Sequence, residues 1–198
     1  MLVGGMIWGE YPCDGLHWFK LIAGGLLFGF SLPTAVQFFI LHYYGKNIDD
    51  KTKKNFIRTL EVNLIGPFLV TKTFADIMQE NKTGKVINIS STNGINTYYP
   101  MCLEYDASKA ALISLTHNLA IEFSPYVNVN AIAPGFIGTE SELDGYDEEF
   151  LKSEQEKILV GRYGKPEEVA HLVKFLVSDE ASYINNTVLR IDGGQYGA

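Results

Sequence analysis

Three short β-branched segments punctuate the chain: "KVINIS" (85–90), "VNVNAIA" (127–133) and "TVLRID" (187–192). Their length and composition predict buried strands. Longer stretches with apolar residues at helical spacing lie before and between them. "DDKTKKNFIRTLEVN" (49–63) opens with charges and carries Phe56, Leu60 and Val62. "LIGPFLVTKTFADIMQEN" (64–81) predicts a separate helix with Pro67 in its first turn, where the missing N–H costs nothing. A third helix is expected over 103–124, and a charged one in "DEEFLKSEQEKI" (147–158). The last, "GKPEEVAHLVKFLVSDEA" (164–181), has Pro166 at its start and Glu167 and Glu168 in its first turn. "NKTG", "STNG", Pro134-Gly135 and Gly193-Gly194 break the pattern as turns.

Strands separated by helices of this length imply parallel pairing through right-handed crossovers, hence a layered α/β sheet. Such sheets bind ligands beyond the carboxyl ends of their strands. Ser90, Ser91 and Thr92 follow the first strand and Pro134-Gly135 follows the second, so both sets fall at that edge.

Residues 1–45 break this picture. They contain both tryptophans and 8 of the 19 glycines, but only Glu10, Asp14 and Lys20 among charged side chains. Leu21 to Tyr44 carries no Asp, Glu, Lys or Arg and is long enough to be a membrane-span candidate, although Gly24, Gly25, Gly29, Ser31, Pro33, Thr34 and Gln37 dilute it. A secretory signal fits less well, because no basic start precedes a compact apolar core. The whole chain has a net charge of −7 and no run of Lys or Arg, which argues against a nucleic-acid or anionic membrane partner. Two cysteines make no disulfide framework and no metal cluster, in keeping with a reducing cytoplasm.

The candidate chemistry centres on "EYDASKA" (104–110). On a helix, Tyr105 and Lys109 share a face, one turn apart. An ammonium near a phenol favours the phenolate, so the spacing predicts a lowered Tyr105 pKa and a general acid or base. The spacing alone is equally that of two residues on a solvated face. Ser91, at the site edge of the first strand, adds a hydroxyl able to bind a substrate oxygen. Read by itself, it is a turn or cap residue. No Gly-x-Ser-x-Gly elbow surrounds any serine, which counts against a serine hydrolase.

Six ordered stretches give the chain a clear resemblance: "VNLIGPF" (62–68), "GKVINISSTNG" (84–94), "YDASKAALISLTHNLAIE" (105–122), "VNVNAIAPGFIGT" (127–139), "GRYGKPEEVAHLVKFLVSDEASYI" (161–184) and "LRIDGG" (189–194). Together they resemble the short-chain dehydrogenase/reductase family, close to its 3-oxoacyl-[acyl carrier protein] reductase-like members. The resemblance implies a Rossmann-like parallel sheet in three layers, and NAD or NADP as cofactor. It implies catalytic roles for Asn63, Ser91, Tyr105 and Lys109, with Asn63 holding a relay water near the lysine. Tyr105, Lys109, Pro134, Gly135, Ile137 and Thr139 would contact the cofactor. It also implies a mobile lid from about Gly138 to Val160, no metal, and a dimer or tetramer built by helices 64–80 and 103–123. The reaction implied is interconversion of a ketone and a secondary alcohol, with a 3-oxoacyl thioester as the family's suggestion for substrate.

The match starts only at about residue 46. The family's Thr-Gly-x-x-x-Gly-x-Gly turn, which cradles the pyrophosphate, is absent; "VGGMIWG" (3–9) lacks the threonine and the final Gly-x-Gly. The family's Asn-Asn-Ala-Gly is replaced by "HYYG" (42–45). Only 62 residues precede Asn63, too few for two βαβ units of about 30 residues each and a further strand. The expectation is therefore the C-terminal part of one Rossmann domain over 46–198, with the N-terminal half of its sheet incomplete and the NAD/NADP selector unidentifiable. Residues 1–45 are then a frame-shifted stretch, a diverged replacement or a membrane anchor. The competing functional reading is a catalytically impaired remnant, or an interaction module lacking its own pyrophosphate loop.

Overall fold

The computed structural model describes residues 48–97 and 102–196. The apolar segment 1–45, with its three readings, lies outside the described residues. A 3-10 turn at Ile48–Asp50 leads to Thr52, whose hydroxyl accepts the Asn55 N–H at 3.2 Å and caps α1, Lys53–Leu60. Helix α1 does not stop before the next helical segment. It widens into a π-helical turn at Glu61–Ile65 and continues as α2, Gly66–Glu80. The two helices expected at 49–63 and 64–81 are thus one helical run. Pro67 cannot donate to a carbonyl one turn back, and the Gly66 N–H reaches Glu61 five residues earlier. The wide turn directs Asn63 inward, where it is buried.

Strand β1, Gly84–Ile89, is followed by α3, Leu103–Glu122, and then by β2, Val127–Pro134. Two short helices, α4 at Glu140–Leu143 and α5 at Glu148–Glu156, precede α6, Pro166–Val177, and β3, Val188–Ile191. The strands form a parallel sheet in the order β1-β2-β3. Register runs from Gly84 opposite Val127 to Ile89 opposite Ile132, and from Ala131 opposite Val188 to Pro134 opposite Ile191.

The period-two alternation of side chains sorts the sheet into two faces. Val86, Val127 and Val129 pack with Met78 of α2 and with Leu119, Ala120 and Phe123 at the end of α3. Ile87 and Ile132 face the opposite way, against Val173 and Leu176 of α6. Helices therefore cover both faces, giving the expected three-layer, Rossmann-like arrangement with, among the described residues, an incomplete sheet of three strands. The expected handedness needs correction. The steps β1 to β2 and β2 to β3 go in the same direction, but their helices lie on opposite faces, so the two crossovers have opposite hands. The 135–165 connection is long enough to carry the chain round the carboxyl edge of the sheet to the other face.

Two asparagines of β2, Asn130 buried and Asn128 half-buried, serve the return to β3. Asn130 donates to the Ile184 carbonyl at 2.9 Å and accepts from the Thr187 N–H at 3.2 Å. Asn128 donates to the Ser182 and Ile184 carbonyls. Among the described residues, no helix is long and apolar enough to cross a membrane, and no group of three His, Cys, Asp or Glu could hold a metal ion.

The segment before α1 is tied to α3 by a buried ion pair. Lys51 Nζ lies 3.0 Å from Glu104 Oε1, with side-chain exposures of 5% and 1%. Glu104 Oε2 has no hydrogen-bond partner. Removing one member of such a pair strands a charge, whereas replacing both with apolar groups does not. Lys51→Met should cost about 3 kcal/mol of stability, and Lys51→Met/Glu104→Leu should recover most of that loss, as read by urea denaturation.

Candidate active site

The carboxyl end of β1 is bound directly to the body of α3. Lys109 Nζ donates to the Ile89 carbonyl at 3.0 Å, and Ser90 Oγ donates to the Lys109 carbonyl at 2.9 Å. The loop then runs against the helix so closely that a Cβ on Gly94 would sit 2.7 Å from the Lys109 carbonyl carbon. Ser91 caps the 3-10 turn Thr92–Gly94 by accepting the Asn93 N–H at 3.2 Å. Asn93 in turn donates to Asp106 Oδ1 at 2.7 Å, pinning the loop to the first turn of α3.

This packing brings three of the four candidate catalytic side chains together. Tyr105 is hydrogen-bonded to the Ser91 hydroxyl. Lys109 Nζ lies 5.5 Å from the centre of the Tyr105 ring. Asn63 reaches the same helix from the π turn but donates to Ser108 Oγ at 3.0 Å, not to Lys109. Ser108 itself donates to the Tyr105 carbonyl at 2.7 Å. Asn63 thus braces the backbone of the helix turn that carries Tyr105.

The electrostatics correct one expectation. The Tyr105 phenol is not made more acidic. Burial pushes its pKa above the usual tyrosine value, the Ser91 hydrogen bond offsets only part of this, and Glu142, Cys102 and Asp106 add to the rise. The Lys109 ammonium is itself buried, at 5% exposure, and burial lowers its pKa to about 8. The two residues share a face as expected, but that face is turned inward and is not solvated.

The second half of the site starts where β2 ends. The Gly135 N–H donates to the Ile191 carbonyl at 3.1 Å, and a Cβ there would meet Gln195 Oε1 at 2.5 Å and Asp192 Cβ at 2.6 Å. Gln195 Oε1 accepts the Phe136 N–H at 3.2 Å. Ile137 forms a parallel bridge with Gly164, and Thr139 caps α4 by accepting the Glu142 N–H at 3.3 Å. Pro134, Gly135, Ile137 and Thr139 therefore line one stretch leaving the carboxyl edge, next in the sheet to the Ser90–Gly94 loop.

The sequence reading missed several residues. Glu142 acts electrostatically on Tyr105, Tyr146 and Cys102, and burial raises its carboxyl to about 7. Burial also pushes the Cys102 thiol up to about 12. Phe136 lies between Tyr146 and Tyr163, with ring centres 6.1 and 4.8 Å away, and Tyr146 stacks on Phe150 at 4.5 Å. The Thr139-x-x-Glu142 capping pattern was the available signal for Glu142.

A phenol, a hydroxyl and an ammonium stand together at the carboxyl edge of a Rossmann-like sheet. Comparison with known proteins shows the family. The family model described as enoyl-(acyl carrier protein) reductase matches residues 38–195, and the chain belongs to the short-chain dehydrogenase/reductase family. It is similar to a 3-oxoacyl-[acyl-carrier-protein] reductase of Aquifex aeolicus, 43% identical over 138 residues, covering 69% of this chain and 55% of the relative. An uncharacterized oxidoreductase of Thermotoga maritima is 36% identical over 157 residues, covering 76% and 62%. Among solved structures, a 4-hydroxyisoleucine dehydrogenase mutant complexed with NADH and succinate is 31% identical, with a TM-score of 0.70 and coverage of 74% and 61%. The chain thus spans about three-fifths of the length of these relatives or less.

Folding keeps Lys109 short of protons relative to the unfolded chain between pH 8 and its usual pKa of 10.5. Stability therefore rises with pH through that window, and the gain is lost again as pH falls through 8. Wild-type protein should gain up to about 3 kcal/mol relative to Lys109→Met between pH 7.5 and 10.5, measured by denaturant unfolding.

Proposed function

We propose that this chain carries the reacting end of an NAD(P)-dependent reductase that interconverts a ketone and a secondary alcohol. The observation that carries the reading is the Ser91–Tyr105–Lys109 cluster, in which the phenol is held protonated and faces a hydroxyl. In this reading residues 46–198 are the C-terminal part of a single Rossmann domain.

The donor set fits the nicotinamide-riboside half of the cofactor. Lys109 and Tyr105 would hold the ribose hydroxyls, and the Pro134–Thr139 stretch would hold the carboxamide through Pro134, Gly135, Ile137 and Thr139. Among the described residues, no strand–glycine-rich turn–helix sequence offers a pyrophosphate cradle, and the choice between NAD and NADP is left to residues beyond them. When bound, the nicotinamide supplies the hydride that reaches the carbonyl carbon. Ser91 and Tyr105 hold the carbonyl oxygen between two hydroxyls, and Tyr105 passes its proton to that oxygen, which completes the alcohol. Lys109 supplies positive charge beside the phenolate left behind, and Asn63 steadies the helix turn through Ser108. The 138–160 stretch closes over the substrate and excludes water.

The finer substrate reading is a 3-oxoacyl thioester, supported by the names of several relatives, which would place the protein in fatty acid synthesis in the cytoplasm. Exposed apolar residues on the outer faces of α2 and α3, among them Phe68, Leu69, Ile77 and Ile121, support self-association through these helices into a dimer or tetramer. Phe68→Glu/Leu69→Glu should shift the protein to a smaller species in sedimentation velocity. A second reading, an impaired remnant or interaction module, is favoured by the lack of a pyrophosphate cradle among the described residues. Micromolar binding of NADH or NADPH by calorimetry would exclude its simple form.

Oxidation of NADPH or NADH in the presence of an acetoacetyl thioester tests the main reading. Tyr105→Phe should lose roughly 10²- to 10⁴-fold in kcat/KM. Equal, background-level oxidation in both proteins would end the activity assignment.

A further inference from the structure

We propose that Gln195 is a positioning residue for the reaction: from the C-terminal end of the chain it holds the Gly135–Phe136 peptide and so sets where the nicotinamide carboxamide rests. The inference depends on the reading of Pro134–Thr139 as the carboxamide-holding stretch, and adds the residue that fixes that stretch.

The chain does not run straight on from β3. Gly193 and Gly194 take positive φ angles of 61° and 78°, which turn it back. The Gln195 N–H donates to the Asp192 carbonyl at 3.0 Å and closes the turn. Asp192 accepts the Gly194 N–H at 3.1 Å and Arg190 Nε at 2.6 Å, while Arg190 Nη2 donates to the Gln195 carbonyl at 2.9 Å. Both backbone groups of Gln195 are thus engaged by its own turn and by β3. Its side chain is left to act elsewhere, and the residue is buried, at 4% exposure.

That side chain completes the pairing at the end of β2. The Gly135 N–H still finds a carbonyl of β3, that of Ile191. The next N–H along, that of Phe136, is received by Gln195 Oε1 at 3.2 Å. The side-chain amide therefore stands in for a further carbonyl of β3, and carries the pairing one step into the stretch that leaves the sheet. The fit is close, because a Cβ on Gly135 would lie 2.5 Å from Oε1. An N–H left without an acceptor at this depth is costly, which holds the Phe136 peptide on the Gln195 amide.

Residues 193–196 also hold the far end of the 135–165 excursion. The Val160 N–H donates to the Gly193 carbonyl and the Tyr196 N–H to the Lys157 carbonyl, each at 3.1 Å. Those two bonds join backbones, so a side-chain substitution leaves both partners in place. The tie to the near end runs through the Gln195 side chain, and the Phe136 ring beside it packs on Tyr163 with ring centres 4.8 Å apart. Loss of the Gln195 acceptor should loosen Pro134–Thr139 while β2, β3 and 157–160 keep their bonds.

Two variants of the full chain test this. Gln195→Met keeps the length of the side chain and removes the acceptor oxygen, whereas Gln195→Glu keeps an acceptor of the same reach in either protonation state. Amide exchange followed by NMR reads the tie itself. The Phe136 N–H should exchange roughly 10-fold faster in Gln195→Met than in wild type, with protection restored in Gln195→Glu. The Ala131 N–H, which donates to the Thr187 carbonyl within the sheet, should be unchanged in both. Titration of NADH and of reduced nicotinamide mononucleotide, followed by nicotinamide fluorescence, reads the function. Both should bind Gln195→Met roughly 5- to 30-fold more weakly than wild type, and Gln195→Glu should recover most of the loss. ADP-ribose, which has no nicotinamide, should not distinguish the three proteins. Unchanged Phe136 exchange or unchanged nicotinamide binding in Gln195→Met overturns the proposal, as does an equal weakening of ADP-ribose. If wild type binds neither nicotinamide ligand, the cofactor reading fails and the role of Gln195 falls with it. If wild type binds both and Gln195→Met binds them as well, the Gln195 assignment alone fails.

Discussion

The bond from the Lys109 ammonium to the Ile89 carbonyl joins the last residue of β1 to the body of α3, inside the protein. Around it, Ser90 donates back to the Lys109 carbonyl, and Gly94 lets the loop lie against the helix backbone. A strand end and a helix are thereby fixed at van der Waals distance. Tyr105 lies one turn before Lys109, so the same contact sets where the phenol stands over the sheet edge. Asn63 and Asn93 then hold the first turn of α3 from two sides, through Ser108 and Asp106. The position of the Tyr105 hydroxyl is over-determined by bonds that lie behind it.

Burial, more than charge pairing, sets the protonation states in this cluster. The ammonium is poorly solvated and loses basicity, and the phenol loses acidity, although the two face each other across 5.5 Å. Both shifts favour the neutral forms, as expected when two groups leave water together. The chain by itself therefore presents a hydroxyl ready to give a proton, not a phenolate ready to take one. Glu142 acts in the same sense, because a negative charge beside the phenol further disfavours its ionisation.

The strands, the helices on either side of them, and the meeting of Ser91, Tyr105 and Lys109 were legible because each rests on a local pattern: β-branched runs, helical spacing, and residues just past a strand end. What was not legible depends on contacts distant in sequence. Pro67 looked like the start of a helix, yet the chain passes through it on a π turn, because Gly66 can reach back to Glu61. Nothing local in "VNVNAIA" showed that Asn128 and Asn130 are the acceptors and donors that hold the 182–187 loop. The spacing of Tyr105 and Lys109 says nothing of how deeply α3 is buried, so the direction of the phenol shift was reversed. Glu142 belongs to a stretch whose path is set by where α6 must pack.

That path links the fold to the site. Right-handed crossovers would keep α3 and α6 on the same face of a sheet that grows in one direction, but Val173 and Leu176 pack opposite Leu119 and Phe123. The chain has to pass from one face to the other between β2 and β3, and it does so around the carboxyl edge. The residues in transit, 135 to 165, are consequently carried past Tyr105. Gly138 and Gly164 bind each other through the Gly138 N–H and the Gly164 carbonyl, 2.8 Å apart, so the excursion is closed at its base into a loop bearing α4 and α5. The 135–165 excursion beside Tyr105 is thus a consequence of the change of face, and Glu142 stands on it.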